Sequence, residues 1–299
     1  WNGCACTGSR SCARELTDAG VDCTVIEKRD HIAGNCFTRY VEEADCHEHV
    51  YGAHIFHTSD EGIWSYVNRF ARFNHYVNRV KVNWRGQLYS FPINLFTLYQ
   101  LWGVSTPAEA QYKLQEVREP IAQPANLEEW CLSQVGREVY ERFVRGYTFK
   151  QWQRDPRELP ASLIRRLPVR LNFDDNYFND RYQGIPIGGY TALFERLLQG
   201  IPVQTGVDFL ADRDDWLRRF DHVIYSGPID AFFDYSLGAL EYRSLRFERE
   251  LVNEADVQGN AVVNYTDVEV PFTRILEHKH FDLSTRGARS LITREFPAD

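Results

Sequence analysis

Near the start of the sequence, Ala13-Arg-Glu-Leu-Thr-Asp-Ala19 is followed by Gly20 and then by Val21-Asp-Cys-Thr-Val-Ile-Glu27. The first run has the composition of a helix, and Gly20 stands where a left-handed residue commonly ends one. The second run is rich in β-branched residues and predicts a strand. A helix followed by such a strand is the second half of a βαβ unit, so the sequence predicts an α/β fold of the dinucleotide-binding kind.

A glycine-containing stretch precedes this helix. Gly3-Cys-Ala-Cys-Thr-Gly8 is an imperfect Gly-x-Gly-x-x-Gly turn, which makes Gly3 and Gly8 candidates for cofactor binding. Chance produces the same letters, and residues 1–12 contain no apolar run for a first strand. Glu27 ends the predicted strand about 20 residues later, where dinucleotide folds place the acid that binds a ribose hydroxyl. An exposed glutamate at a strand end fits the same spacing.

The rest of the chain alternates helix caps, turns and apolar patterns. Capping signals predict helices from Thr58, Thr106 and Asn126, and Gly188-Gly189 predicts another. Strands are predicted at Val203–Phe209, His222–Tyr225, Ala261–Tyr265 and Phe272–Leu276, and a turn at Trp84–Gln87. We therefore expect a Rossmann-like domain (1–72 and 185–239), an inserted helical domain (92–160) and a mostly antiparallel sheet domain (73–91, 161–184 and 240–299).

The composition excludes several classes of protein. The 299 residues are 43% hydrophobic and 25% charged, which is typical of a globular chain. A net charge of −8 argues against nucleic acid as the main partner. Without a signal peptide or an apolar run of about 20 residues, we expect a cytoplasmic protein with no membrane span. The seven cysteines are read as reduced thiols, and the absence of methionine predicts a fragment.

Histidines and cysteines gather in two parts of the sequence. They are Cys46, His47, His49, His54 and His57 in one stretch, and His278 and His280 on one face of a predicted strand. A zinc site would use such residues, but no Cys-x-x-Cys pair completes it, so no metal is predicted. Nothing marks the isolated Cys131 as a nucleophile.

Arginines, aromatic residues and two polar strand residues form the remaining candidates. Arg165, Arg166 and Arg170 would suit phosphate contacts, or would form a solvated basic turn. Tyr147, Trp152, Tyr177 and Tyr182 offer faces for stacking on a base, or are core residues. Arg274 and Asn264 lie on otherwise apolar strand faces, where each needs a partner that is a ligand or a neighbouring side chain.

Taken together, these segments resemble the bacterial type of UDP-galactopyranose mutase, in one register from about Ala13 to Pro297. The matching stretches are Val25–Asn35, Tyr51–Thr58, Gly146–Trp152, Asn176–Pro186, Ser226–Asp230, Gly238–Ser244 and Thr273–Phe281. Several run for seven or more residues, which is far more specific than a lone glycine loop.

The resemblance implies a flavin-dependent isomerase that interconverts UDP-galactopyranose and UDP-galactofuranose for cell wall polysaccharide biosynthesis. It implies that N5 of reduced FAD is the nucleophile on the anomeric carbon, without net redox. It further implies an FAD-binding Rossmann-like domain, UDP-galactose as the small-molecule substrate, and a homodimer as a candidate assembly.

The resemblance also implies roles for individual residues. Arg166, on a mobile loop, and Arg274 would hold the diphosphate, and the motif that carries His57 would lie against the flavin. Substrate contacts are implied for Asn78, Phe143, Tyr147, Trp152, Tyr177 and Asn264. Cofactor contacts are implied for Glu27, Lys28, Gly34, Asn35, His54, Ile55, Phe209 and Leu210.

The sequence departs from the family pattern in three places. Cys4, Cys6 and Ser9 occupy the gapless glycine positions, and Ala33 replaces a usual glycine. The chain stops at Asp299, before the final FAD-binding segment of the family, so we expect an incomplete mutase. Two alternatives stay open: an amine-oxidase-like flavin oxidoreductase, and an inactive fragment that binds a nucleotide.

Overall fold

The computed structural model describes residues 5–163, 169–283 and 285–298, with side chains from residue 10 onward. The helices are α1 (Ala5–Asp18), α2 (Glu61–Val67), α3 (Leu95–Trp102), α4 (Pro107–Val117), α5 (Leu127–Val139), α6 (Gly146–Trp152), α7 (Gly189–Leu197), α8 (Arg213–Arg219) and α9 (Ile229–Phe232). The strands are β1 (Val25–Glu27), β2 (Thr38–Val41), β3 (Cys46–His49), β4 (Phe56–Thr58), β5 (Lys81–Trp84), β6 (Gln87–Ser90), β7 (Tyr182–Gly184), β8 (Val203–Thr205), β9 (Ser244–Val252), β10 (Val262–Tyr265), β11 (Arg274–Glu277) and β12 (Ser290–Ala298).

The chain divides into two compact units. The first unit contains the chain up to Tyr76, Asp180–Tyr242 and Asp282–Arg286. The second unit contains Val77–Asn179, Arg243–Phe281 and Gly287–Asp299. Within the described residues, no helix is both long and apolar enough to cross a bilayer.

Helix α1 and a parallel strand pair organise the first unit. Strand β1 pairs with β8 from Val25 opposite Val203 to Glu27 opposite Thr205. Ala13 of α1 packs against Leu198 and Ile201, which lie just before β8. This places the carboxyl end of β1, with Glu27, at one edge of the pair.

The start of α1 corrects the expected glycine turn. The helix begins at Ala5 and not at Ala13, so Gly8 lies inside the helix rather than in a turn before it. Gly3 lies outside the described residues. The helix ends as expected, because Gly20 takes a positive φ of 87° that most residues avoid. The strand that follows is shorter than predicted and includes only Val25–Glu27.

Two short antiparallel pairs complete the strands described for the first unit. Strand β2 pairs with β3, and β4 pairs with β7 so that His57 lies opposite Gln183. Helix α7 begins after Gly188, as predicted. The strand predicted at His222–Tyr225 is wrong: this segment is irregular, and Val223 and Ile224 are exposed. Its apolar letters indicated a strand, but a strand also needs a hydrogen-bonded partner, and none pairs with it in the described chain.

The second unit is built on a six-stranded sheet of order β6-β5-β10-β11-β12-β9. All neighbours are antiparallel except β5 and β10, which run parallel. The predicted turn at Trp84–Gln87 is confirmed, since Arg85 and Gly86 take the positive φ angles of a tight hairpin. His278 and His280 do not lie on a strand, because β11 ends at Glu277 and a 3-10 turn follows.

Helices α3 to α6 enclose the main core of the second unit. Caps start two of them as the sequence predicts: Thr106 and Glu109 form a capping box for α4, and the side chain of Asn126 caps α5. Helix α5 is interrupted at Gly136, whose φ of 76° is non-helical. A π-helical segment, Tyr140–Arg145, then leads into α6. π-Helical turns are rare in proteins, and those that occur are frequently found at functional sites.

Candidate active site

A row of polar residues crosses the sheet of the second unit. Asn264 on β10 lies directly opposite Arg274 on β11, and Arg274 lies directly opposite Glu295 on β12. Residues paired in this way point to the same face of a sheet, with their side chains in reach of one another. The structure therefore brings together two residues that the sequence selected and adds Glu295, which it did not. We call Asn264, Arg274 and Glu295 the polar row.

Arg274 is the cation at the centre of the polar row. Its Nε lies 2.8 Å from Oε2 of Glu295, an ion-pair contact without the alignment of a hydrogen bond. Its guanidinium also donates to the hydroxyl of Tyr147 on α6, at 3.3 Å. The oxygen of Tyr147 and the carboxylate of Glu295 together raise the pKa of Arg274 above its ordinary value. A fixed guanidinium that keeps 30% exposure can bind an anion such as a diphosphate.

Glu295 is almost completely buried, at 2% exposure. Burial raises the pKa of its carboxyl group, and Arg274 acts in the opposite direction. The side-chain oxygen of Asn264, the third member of the row, is buried and has no hydrogen-bond partner within the described residues. A buried carbonyl oxygen without a donor is costly, so it marks a place where a ligand donor would be stabilising.

Three other aromatic residues selected from the sequence belong to the same unit as the polar row. Phe143, in the π-helical segment, is buried and stacks on Phe91 with 6.4 Å between ring centroids. Tyr177 contacts the same Phe91 ring at 6.3 Å, and its backbone N–H donates to the carbonyl of Asn78 at 2.8 Å. Phe143 and Tyr177 therefore share the neighbour Phe91. Trp152, at the end of α6, packs against the helical core.

Helix α6 is tied to the loop that joins β10 to β11. The ammonium of the buried Lys150 donates to the carbonyl oxygens of Tyr265, Val270 and Phe272, at 2.6, 3.0 and 2.8 Å. Burial lowers the pKa of Lys150 to about 8. Because Lys150 lies one turn after Tyr147, these bonds fix the hydroxyl of Tyr147 relative to Arg274.

Gly146, the first residue of α6, makes this approach possible. A Cβ atom at Gly146 would lie 2.1 Å from the carbonyl oxygen of Thr266, closer than any side chain can come. The sequence signal, a glycine before an aromatic residue, was part of the family resemblance. Its physical role becomes visible only when the loop is in place.

The arginine segment has a mixed outcome. Arg166 lies outside the described residues, so its predicted contact with the diphosphate stays a prediction. Arg170 is described, and its guanidinium donates to the carbonyls of Asp174 and Asn176 and to the side chain of Asn179. These contacts shape the turn that carries Tyr177, so Arg170 is a structural residue of that turn.

Four of the predicted cofactor residues lie at the end of β1 or in the segment that follows it, namely Glu27, Lys28, Gly34 and Asn35. Glu27 accepts a hydrogen bond at 2.5 Å from Arg10, which is buried, and a second one from the backbone N–H of Arg29. The guanidinium of Arg29 also donates to Asn35, at 2.7 Å. Glu27 and Asn35 are therefore linked through one arginine, next to the turn that contains Gly34.

A second contact joins this cluster to the segment after β8. Lys28 pairs with Asp208 at 2.8 Å, and the same carboxylate accepts from the backbone N–H of Leu210. The hydrogen bond to Asp208 raises the pKa of Lys28. Phe209, which lies between Asp208 and Leu210 in sequence, is buried. Lys28, Phe209 and Leu210 thus lie near one another, with Glu27 at the adjacent strand end.

The histidine motif of the first unit contains two differently held imidazoles. His54 Nδ1 lies 2.9 Å from the carbonyl of Gly52, and burial lowers the pKa of His54. His57 Nδ1 lies 2.6 Å from Asp180, whose other oxygen accepts from Ser59. A carboxylate at Nδ1 holds the imidazole ring of His57 in one orientation. Ile55, between the two, is half-buried.

The two histidines selected in the second unit, His278 and His280, have structural partners. His278 is fully buried against the hydroxyl of Thr293 at 2.8 Å, and burial lowers its pKa to about 3. His280 lies between Asp256 and Glu277, and these two carboxylates raise its pKa. Glu277 also accepts hydrogen bonds from two backbone N–H groups and from the hydroxyl of Ser290. Hydrogen bonds therefore already occupy the side chains of Asp256, Glu277 and His280.

Sequence reasoning missed Glu295, Lys150 and Asp180. Glu295 follows Thr293 and Arg294 in a strand of mixed polarity, so its burial was not visible in the sequence. Asp180 and Lys150 carried no signal, because their partners are distant in sequence.

Comparison with known proteins places the chain in a family. A family model described as UDP-galactopyranose mutase matches residues 142–299, and one described as NAD(P)-binding Rossmann-like domain matches residues 7–70. A probable UDP-galactopyranose mutase of Klebsiella pneumoniae is 46% identical over 274 residues, covering 90% of this chain and 70% of the relative. The dTDP-fucopyranose mutase of Escherichia coli is 40% identical over 291 residues, covering 95% and 77%.

Solved structures agree with the fold. A reduced UDP-galactopyranose mutase superimposes with a TM-score of 0.66 at 16% identity, over 97% of this chain and 72% of that one. An oxidoreductase from Methanosarcina mazei reaches 0.60 at 13% identity, over 98% and 77%. The predicted α/β fold, with a Rossmann-like part and an antiparallel sheet, is confirmed. The chain belongs to the UDP-galactopyranose mutase family of isomerases.

Proposed function

We propose that the chain binds UDP-galactose at the polar row and interconverts its pyranose and furanose forms with reduced FAD. The observation that carries this proposal is Arg274, a partly exposed guanidinium fixed by Glu295 and Tyr147 on the face of a sheet. Family membership supplies the reaction class, and Arg274 supplies a cation for the diphosphate of a nucleotide sugar.

The residues at the end of β1 fit a flavin dinucleotide. Glu27 occupies the carboxyl end of a parallel strand, where such folds bind the ribose, and the backbone turns tightly at Ala33 and Gly34 with φ of 71° and 55°. Glu27, Lys28, Asn35 and Leu210 would hold the adenosine part. Reduced FAD, when bound, would supply the nucleophile for the anomeric carbon, so that no net redox change occurs.

The protein's own groups would act on the charge of the leaving UDP. Breaking the bond to the anomeric carbon increases the negative charge of the diphosphate, and a fixed cation stabilises that charge more than it stabilises the ground state. Arg274 would do this together with Arg166. Phe143, Tyr147, Trp152 and Tyr177 would bind the uridine part, with Asn78 and Asn264 as hydrogen-bonding partners.

His57 would be oriented by Asp180. The 2.6 Å contact between Nδ1 and the carboxylate fixes the orientation of the imidazole ring. His54 and Ile55 of the same motif would lie against the flavin. A homodimer and a cytoplasmic location remain predictions from the sequence.

A turnover assay separates this proposal from the two alternatives. The protein is supplied with FAD, reduced with dithionite and given UDP-galactofuranose, and the sugar nucleotides are separated by anion-exchange chromatography. We expect many turnovers to UDP-galactopyranose per flavin. One flavin oxidised per substrate consumed would support an oxidoreductase, and binding without conversion would support an inactive nucleotide-binding fragment. Exclusive turnover of a dTDP-sugar, as the name of one relative describes, would change the assigned substrate.

A further inference from the structure

The polar row contains more negative charge than a diphosphate site would ordinarily carry. Glu295 is buried to 2% exposure directly behind the arginine that the proposed function assigns to the diphosphate. A carboxylate at this depth stays ionised only with a close cation, because desolvation strongly disfavours its charged form. Arg274 is that cation, 2.8 Å away.

Arg274 cannot pair equally well with the carboxylate of Glu295 and with a bound diphosphate. Its Nε faces Glu295 without hydrogen-bond alignment, and its outer guanidinium nitrogen contacts Tyr147. A diphosphate bound at the exposed side would bring two further negative charges close to Glu295. At low dielectric two anions around one guanidinium repel each other strongly, and protonation of the more buried anion relieves the repulsion.

We propose that Glu295 takes up a proton when a nucleotide diphosphate pairs with Arg274, so that substrate binding and protonation of this carboxyl group are coupled. The inference rests on the proposed function, since it requires the diphosphate at Arg274. The proton comes from solvent and forms an O–H bond on Glu295. Arg274 stays a cation and no other covalent bond changes.

The groups around Glu295 favour the uptake of a proton by its carboxyl group when the diphosphate binds. Arg274 faces it from β11, while Phe247 lies opposite it on β9 and offers no charge. Tyr147 on α6 and Tyr177 on the loop before β7 act on Arg274 and keep its pKa high. Burial already raises the pKa of Glu295 with Arg274 in place, so loss of part of that pairing raises it further.

Isothermal titration calorimetry measures the coupling directly. UDP-galactose is titrated into the protein without reductant, at one pH, in buffers of different ionisation enthalpy. Both ends of its diphosphate are esterified, so the ligand does not itself titrate near neutral pH. We expect the observed binding enthalpy to increase with buffer ionisation enthalpy, with a slope of a fraction of a proton up to about one per ligand bound.

Two variants make the assignment to Glu295 specific. Glu295→Gln keeps the shape of the side chain and removes its titration, so the slope should fall to near zero while binding persists. Glu250→Gln is the matched control, because Glu250 also pairs with an arginine of the same sheet, Arg294 at 2.7 Å, but is 49% exposed. Its slope should equal that of the unchanged protein.

The outcomes separate the inference from the function on which it rests. Binding heat with a zero slope at every pH from about 5.5 to about 8.5 would overturn the inference and leave the nucleotide site standing. A slope that persists in Glu295→Gln would also overturn it. Absence of UDP-galactose binding would contradict the proposed function and, with it, the inference. If Glu295→Gln does not fold, the slope of the unchanged protein across that pH range decides alone.

Discussion

Arg274 is the side chain on which the proposed chemistry of the second unit depends. It has a fixed position because strand register sets it opposite both Asn264 and Glu295, and it contacts α6 through Tyr147. A preorganised cation of this kind does not have to reorganise when charge develops on the leaving group.

We therefore predict that Arg274→Ala lowers kcat/KM for UDP-galactofuranose by about 10²–10³-fold, the usual effect of removing one group that stabilises a developing anion. Arg294→Ala is the control. Arg294 is the neighbour of Glu295 on β12 but pairs at the surface with Glu250. Steady-state kinetics checks both variants, and equal losses would remove the special role of Arg274.

Arg166 is the second arginine that the proposed function assigns to the diphosphate. Replacing it by alanine should nearly abolish turnover while the bound flavin remains, because it would stabilise the departing diphosphate without touching the cofactor. Flavin absorbance and turnover are measured on the same sample. Arg157→Ala, which removes an exposed arginine paired with Asp155, should leave both unchanged. Turnover of Arg166→Ala at the unchanged rate would exclude this residue from the mechanism.

Helix α6 and the β10–β11 loop act as one element of the proposed substrate site. Lys150 donates to three loop carbonyls, and Gly146 allows the backbone of Thr266 to approach. The loop begins after Tyr265, one residue beyond Asn264, and ends before Arg274, so its position affects the alignment of Asn264 and Arg274 with Tyr147.

We predict that Lys150→Met destabilises the fold by about 3 kcal/mol, since it leaves buried carbonyls without a donor. It should also raise the KM for UDP-galactofuranose about tenfold, because Tyr147 and Arg274 lose their alignment. Thermal unfolding and kinetics measure the two effects. Lys113→Met, on the surface of α4, should change stability by less than about 0.5 kcal/mol. An unchanged KM in Lys150→Met would mean that the link is structural only.

At the scale of elements, the sequence predicts well where local rules decide. Caps at Thr106 and Asn126, the end of α1 at Gly20 and the hairpin at Arg85-Gly86 all follow from the preferences of single residues. The strands predicted at His222–Tyr225 and beyond Glu277 were wrong. In both places the sequence has the pattern of a strand, but the segment does not pair with another strand in the described chain. Pairing depends on distant partners, which periodicity does not contain.

The candidate site follows the same rule. The alternation of polar and apolar residues in β10 and β11 identified Asn264 and Arg274 as polar residues on apolar faces. The sequence did not show that the two residues lie opposite each other in the sheet. Glu295 remained hidden because β12, the strand that carries it, becomes the neighbour of β11 only in the folded sheet. The start of α1 was misplaced because a weak glycine pattern was read as a turn.

At the scale of the whole molecule, the two proposed ligands are assigned largely to residues of different units. Glu27 belongs to the first unit and Arg274 to the second. We predict that Glu27→Gln weakens FAD binding about tenfold, because a charged hydrogen-bond acceptor is lost, and leaves UDP-galactose affinity unchanged. Flavin fluorescence and calorimetry measure these separately. Glu43→Gln, at an exposed position, is the control. A parallel loss of both affinities would contradict the separate assignment.

The proposed function is the isomerisation of a nucleotide sugar without net redox chemistry. It is tested by starting the dithionite-reduced, FAD-supplied protein once from UDP-galactopyranose and once from UDP-galactofuranose, and by recording sugar composition and flavin spectrum together. We predict that both reactions reach the same final ratio of the two sugars while the flavin stays reduced. Conversion in one direction only, with oxidation of the flavin in proportion to product, would contradict it.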